Sequence, residues 1–205
     1  MQPFDLIPSY LQKILIKLEE RDREERKVGL ERSKRLRQIP RETGEFLFQF
    51  LTTFIPQFPE FLALEIGTSG GYSTLWQGMA LVLRHQGKLI SLEHDPKKYQ
   101  LASENITSTE VEKYVTLIHE DAKNYLKRKS QDRYSYVFMD CEKEDYAYFF
   151  SFLVARLTCG SVLIADNVIS HKDDMSDFIG QIKSDSRVSS IILPIGSGLG
   201  FIRWI

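Results

Sequence analysis

The chain has 205 residues, 42% hydrophobic and 27% charged, with a formal net charge of −1. That length suits one domain with a full core, and the near-neutral balance excludes a global pull toward nucleic acid or an anionic membrane, so such binding needs a local patch. No apolar run reaches the roughly 18 residues of a spanning helix, the start MQPFDLIPSY lacks a charged leader before an apolar core, and Cys141 and Cys159 have no zinc or redox spacing; a reduced, cytoplasmic protein is expected.

Leu11, Ile14, Leu15 and Leu18 recur at helical spacing and predict a short amphipathic helix. The stretch from Glu19 to Arg37 is mixed in charge at first and mostly basic later, with Arg32, Lys34, Arg35 and Arg37. It reads as a solvated helix or lid segment, or as an arm that contacts phosphates. Ile39–Gly44 forms a turn into a helix whose buried face is Phe46, Leu47, Phe50, Leu51 and Phe54, ended by Pro56 and Pro59. The apolar run Phe61–Ile66 has strand length and breaks into Gly67-Thr68-Ser69-Gly70-Gly71. A helix over 72–84 follows, carrying Leu75, Met79 and Leu83 inward.

Strand Lys88–Leu92 ends in Glu93-His94-Asp95-Pro96, and Pro96 opens a helix filled by Lys97–Ile106. Strand Tyr114–Ile118 leads to Asp121-Ala122 and a helix over Ala122–Lys129. Strand Tyr134–Met139 ends in Asp140; the helix Tyr146–Leu157 follows and Cys159-Gly160 closes it. Strand Ser161–Ala165 ends in Asp166-Asn167, before a helix over about Asp173–Ser184. Val188–Leu193 and Leu199–Trp204 flank Pro194–Gly198 and read as a hairpin. Five apolar runs alternating with helices imply an α/β fold: a doubly wound, mostly parallel sheet covered on both faces, with the hairpin adding an antiparallel strand at one edge.

The glycine turn is a place where a ligand meets bare backbone and the N–H groups of a new helix. Its glycines read G-x-x-G-G, neither the dinucleotide fingerprint nor a P-loop, which argues against a nicotinamide dehydrogenase. What remains is Glu65, Gly67, Gly71 and Ser73; the plain alternative is an ordinary strand-to-helix corner. Each of the first five strands ends in an acid: Glu65, Glu93, Asp121, Asp140 and Asp166. In open α/β sheets that edge binds ligands. Glu93 is spaced to accept hydrogen bonds from ribose hydroxyls, and Asp121 to meet an adenine amino group, a pattern that suits an adenosyl cofactor without pyrophosphate.

If strands one, four and five are neighbours, about 5 Å apart, Asp140, Asp166 and Asn167 converge. Two carboxylates and an amide oxygen suit Mg²⁺ or Ca²⁺, and a cation relieves the repulsion between the carboxylates. Helix capping and a turn role are the alternatives. Lys143 follows Asp140 by three residues, so its amine can lie beside the metal and act as a base; otherwise it is a surface lysine.

In this order and spacing, LEIGTSGGYS, SLEHDP, VFMDCEKEDY, VLIADNV and LPIGSGLGFIRW resemble the cation-dependent O-methyltransferases, the catechol and caffeoyl-coenzyme A type of class I S-adenosylmethionine-dependent methyltransferases. Ile39–Leu47 resembles the family's lead-in helix. The resemblance covers 39–205 as a methyltransferase domain and leaves 1–38 as an N-terminal helical, charged segment.

The resemblance implies a Rossmann-like fold and S-adenosylmethionine as cofactor. It implies Glu65, Gly67, Gly71 and Ser73 in the cofactor turn, with Ser73 reaching the methionine carboxylate. Glu93 falls at the ribose, Asp121 and Ala122 on the adenine side, and Asp140 between cofactor and metal. Asp140, Asp166 and Asn167 match the metal ligands, Lys143 the catalytic lysine and Tyr146 the tyrosine that follows it. The implied reaction is in-line methyl transfer to a hydroxyl of a catechol-like small molecule, with the metal on both oxygens and Lys143 taking the proton. A homodimer is implied as well.

Four features depart from the family pattern. Cys141 stands where alanine is usual, Ser197 replaces an aspartate in the hairpin, the segment after Asn167 is short, and RVSSIIL offers no substrate-facing acid. A bacterial branch of the family methylates a hydroxylated wobble uridine of transfer RNA, and the Arg32–Arg41 cluster makes that the second reading. A binding-only protein is the third; the intact Asp140, Lys143, Asp166 and Asn167 argue against it.

Overall fold

The computed structural model describes residues 2–107 and 109–205. Its central strand, β4 (Tyr134–Met139), is buried at every position, as a strand covered on both faces must be. Alternate residues serve opposite sides: Tyr136 and Phe138 join one hydrophobic cluster, Val137 and Met139 the other. Around it lie β1 (Leu62–Ile66), β2 (Lys88–Glu93), β3 (Val115–His119), β5 (Leu157–Ala165), β6 (Val188–Leu193) and β7 (Leu199–Trp204). The sheet order is β3-β2-β1-β4-β5-β7-β6, parallel through β5. The hairpin strand β7 runs antiparallel to β5, and β6 forms the edge.

The helices are α1 (Ser9–Lys27), α2 (Arg41–Phe54), α3 (Tyr72–Arg84), α4 (Pro96–Ile106), α5 (Ala122–Arg128), α6 (Tyr146–Leu153) and α7 (Ser176–Ser184). Leu11 and Leu15 of α1, Leu47 and Phe48 of α2, and Leu75 and Trp76 of α3 share the first cluster. Tyr125 of α5, Phe149 and Phe150 of α6 and Phe178 of α7 belong to the second. Gly44 lets α2 close on α3, since a Cβ there would lie 2.4 Å from the Trp76 indole. Among the described residues no helix is long and apolar enough to cross a membrane.

Three expectations need correction. Leu83, expected inward, is exposed on the last turn of α3, where Leu81 and Val82 are the buried residues instead. Cys159-Gly160 does not close a helix: α6 ends at Leu153, and both residues lie inside the longer β5. Gly160 there has φ +85°, and the β4–β5 register shifts between Tyr134 and Tyr136, as at a bulge that admits a glycine. Phe48, not counted on the inner face of α2, is buried, while Phe46 and Phe50 are only partly so.

Candidate active site

The strand order reverses direction between β1 and β4, the switch point at which open α/β sheets bind ligands. The ends of β1, β4 and β5 form a stepped row there: the Asp140 N–H donates to Ile66 O and the Asp166 N–H to Met139 O, each at 3.0 Å. Gly67 has φ +99°, and a Cβ on it would sit 2.0 Å from the Asp140 carbonyl oxygen. Only glycine lets the turn after β1 lie this close to the end of β4.

A cavity of about 280 Å³ opens beside that turn, and Gly67, Glu93, Asp121, Ala122 and Asp140 line it. Glu93 accepts the Ser69 N–H at 2.8 Å on one oxygen and the Asp95 N–H at 2.9 Å on the other. The carboxylate is thereby fixed, with lone pairs left for hydroxyls. Asp121 caps α5 through the Asn124 N–H at 3.0 Å. Two wall residues, Leu36 and Arg37, come from the N-terminal segment and were not anticipated. Ser69 donates to Leu36 O, Arg37 pairs with Glu142 at 2.5 Å, and the Arg37 N–H is held by Asp22. Asp22 and Glu25 thus each turn one oxygen to the 36–37 backbone while the other pairs with Arg26 and Arg21, respectively, which a charge pattern in sequence does not reveal.

Glu65, Gly71 and Ser73 do not line this cavity. Glu65 is sealed beneath the turn and accepts hydrogen bonds from Ser73 at 2.5 Å, Thr74 at 2.5 Å, Gln77 at 2.7 Å and Ser91 at 2.6 Å. Burial still prevails over these donors and pushes its carboxyl up to about 7. Gly71, with φ +87°, is the N-cap of α3. These residues build the corner from below.

Asp140 and Arg37 also border a second cavity of about 630 Å³, lined further by Lys143, Asp166, Asn167 and His171. Lys143 is buried; its Nζ donates to Asp140 Oδ1 at 3.2 Å, Cys141 O at 3.0 Å and Tyr146 Oη at 3.2 Å. Tyr146 in turn donates to Met139 O at 2.9 Å. The lysine is therefore held in place on three sides.

Asp166 is buried and its Oδ1 has no hydrogen-bond partner. Burial, then the charge of Asp140, drives its carboxyl well above the usual range, with Lys143 opposing. An unpartnered buried carboxylate oxygen calls for an explanation, and an ion is one. Among the described residues no cluster of three His, Cys, Asp or Glu side chains suits a metal; the donor set is two carboxylates plus the Asn167 amide. Those hard oxygens fit a divalent cation that keeps positions for water or substrate. Asn167 has φ +69°, a region asparagine tolerates, and its carbonyl accepts the His171 N–H at 2.9 Å. Residues 168–170 are tied by their N–H groups to Gly198 and Ser197 of the hairpin turn. His171 gave no signal in the sequence.

Residues 17–205 match the O-methyltransferase family. A catechol O-methyltransferase of Niastella koreensis is 34% identical over 109 residues, 52% of this chain and 48% of its own length. The chain thus matches about half the length of that relative. A flavonoid 3',5'-methyltransferase of Vitis vinifera is 26% identical, covering 82% of this chain and 79% of its own. Among solved structures, the SAH-bound methyltransferase of Podospora anserina superposes with a TM-score of 0.79 at 20% identity, covering 97% and 89% of the two chains. The Bacillus cereus O-methyltransferase in complex with SAH gives 0.77 at 21% identity, covering 98% and 93%. The fold is that of the Rossmann-like methyltransferases. With the family match across nearly the whole chain, the protein belongs to the O-methyltransferase family.

Proposed function

We propose that the protein is an S-adenosylmethionine-dependent, divalent-cation-assisted O-methyltransferase that acts on one hydroxyl of a vicinal diol such as a catechol. The observation that carries this reading is the unpartnered, buried Asp166 oxygen beside Asp140 and the fixed Lys143, where two cavities meet.

The smaller cavity takes the cofactor: Glu93 holds the ribose hydroxyls, Asp121 and Ala122 the adenine side, Gly67 the methionine part and Asp140 its amine. Glu65, Gly71 and Ser73 act by shaping that turn. S-adenosylmethionine supplies an electrophilic methyl group on sulfur. Asp140, Asp166 and Asn167 hold the cation, which as a Lewis acid makes the acceptor hydroxyl easier to deprotonate. In its neutral form, with two N–H groups shared among its three partners and the lone pair free, Lys143 accepts the hydroxyl proton and becomes the ammonium that donates to all three. Asp140 and Arg37, common to both cavities, set the spacing between donor and acceptor. The second reading, a hydroxylated wobble uridine of transfer RNA, is favoured by one observation: arginines line the larger cavity.

Isothermal titration of S-adenosylmethionine, followed by turnover of catechol with Mg²⁺ and then with chelator, tests the first reading. Micromolar binding and chelator-sensitive turnover are expected. Binding without turnover of any phenol moves the acceptor to RNA, and absence of cofactor binding refutes both.

A further inference from the structure

The cationic wall of the larger cavity has no role in methyl transfer to a neutral catechol. Three of its arginines are already neutralised: Arg26 by Asp22 at 2.7 Å, Arg41 by Glu19 at 2.6 Å and Arg37 by Glu142 at 2.5 Å. The other three, Arg23, Arg32 and Arg35, line the same cavity and form no ion pair among the described residues. Arg23 and Arg35 each direct Nε to a backbone carbonyl, of Glu19 and Leu30. Arg32 Nη2 lies 3.4 Å from His171 Nε2.

A guanidinium only donates, so His171 Nε2 is the acceptor and Nδ1 carries the hydrogen toward Ser170 Oγ at 3.0 Å. His171 is anchored to Asn167 by its own N–H. Arg32 is thus held one turn of chain from the proposed cation ligands, with donors to spare.

Resting on the reading above, we propose that the acceptor is anionic: a vicinal diol whose skeleton carries a carboxylate or phosphate, held by Arg32 with Arg23 and Arg35 while the diol sits at Asp166 and Asn167. Planar guanidinium groups suit both oxyanions through paired hydrogen bonds. The cavity, about 630 Å³ and partly open to solvent, has the size of a small-molecule site. The chain's net charge of −1 and the confinement of these arginines to one cavity favour a small anion over an RNA backbone, which needs an extended basic track.

Titrations of the magnesium- and S-adenosylhomocysteine-loaded protein with catechol, protocatechuate and a phosphonate-bearing catechol test this, each probe also being assayed for methylation with S-adenosylmethionine. An anionic probe is expected to bind about tenfold more tightly than catechol; whichever of the two binds better identifies the group. Arg32→Gln and, separately, Arg23→Gln should each shrink that preference, while melting curves report that the variants fold. Equal affinity for all three probes, or a preference unmoved by both variants, overturns the anionic acceptor even when catechol is methylated. Preferential binding without methylation leaves the anion site standing and removes the methyl-transfer reading. Tight, steeply salt-dependent binding of a single-stranded RNA that Arg32→Gln weakens, without any preference for the anionic probes, assigns the arginines to RNA and overturns the proposal.

Discussion

Ser73 donates its hydroxyl hydrogen to Glu65 at 2.5 Å, in a sealed nest completed by Thr74, Gln77 and Ser91. The Glu65 carboxyl, raised from 4.5 to about 7, binds its proton more tightly in the folded chain than in the unfolded one. Its contribution to stability is therefore fully present below pH 4.5 and is lost as pH rises through 7, a loss of about 3 kcal/mol. Glu65→Gln keeps the shape, and the rotatable hydroxyls of Thr74 and Ser91 can accept from the new amide. Urea unfolding near pH 5 and pH 8 is expected to show a smaller fall in the variant than in the wild type. An identical fall in both would mean that Glu65 does not carry this proton.

Gly67→Ala forces a Cβ against the Asp140 carbonyl at a φ of +99°. Relief requires moving either the turn after β1 or the end of β4, at a cost of about 3 kcal/mol. Because the same turn lines the smaller cavity, cofactor affinity should fall with stability. A variant of wild-type stability with normal cofactor binding would contradict the close packing described here.

Much of this arrangement was legible from residue order alone. The strand ends were partly readable: β2 ends on Glu93, Asp140 and Asp166 directly follow β4 and β5, and β4, β6 and β7 fall within their expected bounds, but Glu65 lies inside β1 and Asp121 caps α5 two residues beyond β3. The convergence of Asp140, Asp166 and Asn167 needed only that β1, β4 and β5 be neighbours, which they are. What failed was what periodicity does not encode. Cys159-Gly160 resembled a helix end because the β5 bulge places a glycine inside a strand. Glu65 and Ser73 are eight residues apart in a turn motif, yet only the packed corner shows that they bond to each other. The charged N-terminal stretch read as solvated or phosphate-seeking; that its acids Glu25, Asp22 and Glu19 also tie it to residues 36, 37 and 41 was not readable.

That strap yields a third prediction. Arg37 and Glu142 are joined at 2.5 Å, with the Glu142 side chain 57% exposed, so the pair contributes less than about 1 kcal/mol to folding. Arg37→Ala should leave the unfolding midpoint nearly unchanged but weaken S-adenosylmethionine binding about fivefold, since Arg37 walls the smaller cavity. A large loss of stability with intact binding would make the pair a structural clamp instead.

Asp166→Asn offers a separate handle on the cation. Removing a buried, unpartnered charge next to Asp140 should leave the chelated protein as stable as the wild type or more so at pH 8. Mg²⁺ should raise the wild-type melting temperature by binding the folded state and raise that of the variant far less. Equal stabilisation of both proteins by Mg²⁺ would place the ion elsewhere.

The central claim is that Lys143, fixed by Asp140, Cys141 and Tyr146, takes the acceptor proton beside a cation. Its most direct test is single-turnover methyl transfer from labelled S-adenosylmethionine to a catechol, in wild type and Lys143→Ala, with Mg²⁺ and with chelator. A rate loss of about 10²–10⁴-fold in Lys143→Ala, with cofactor affinity kept within about threefold and wild-type activity restored by returning Mg²⁺ after chelation, is the predicted result. A Lys143→Ala protein that transfers the methyl group at the wild-type rate, or a wild type indifferent to chelator, would contradict it.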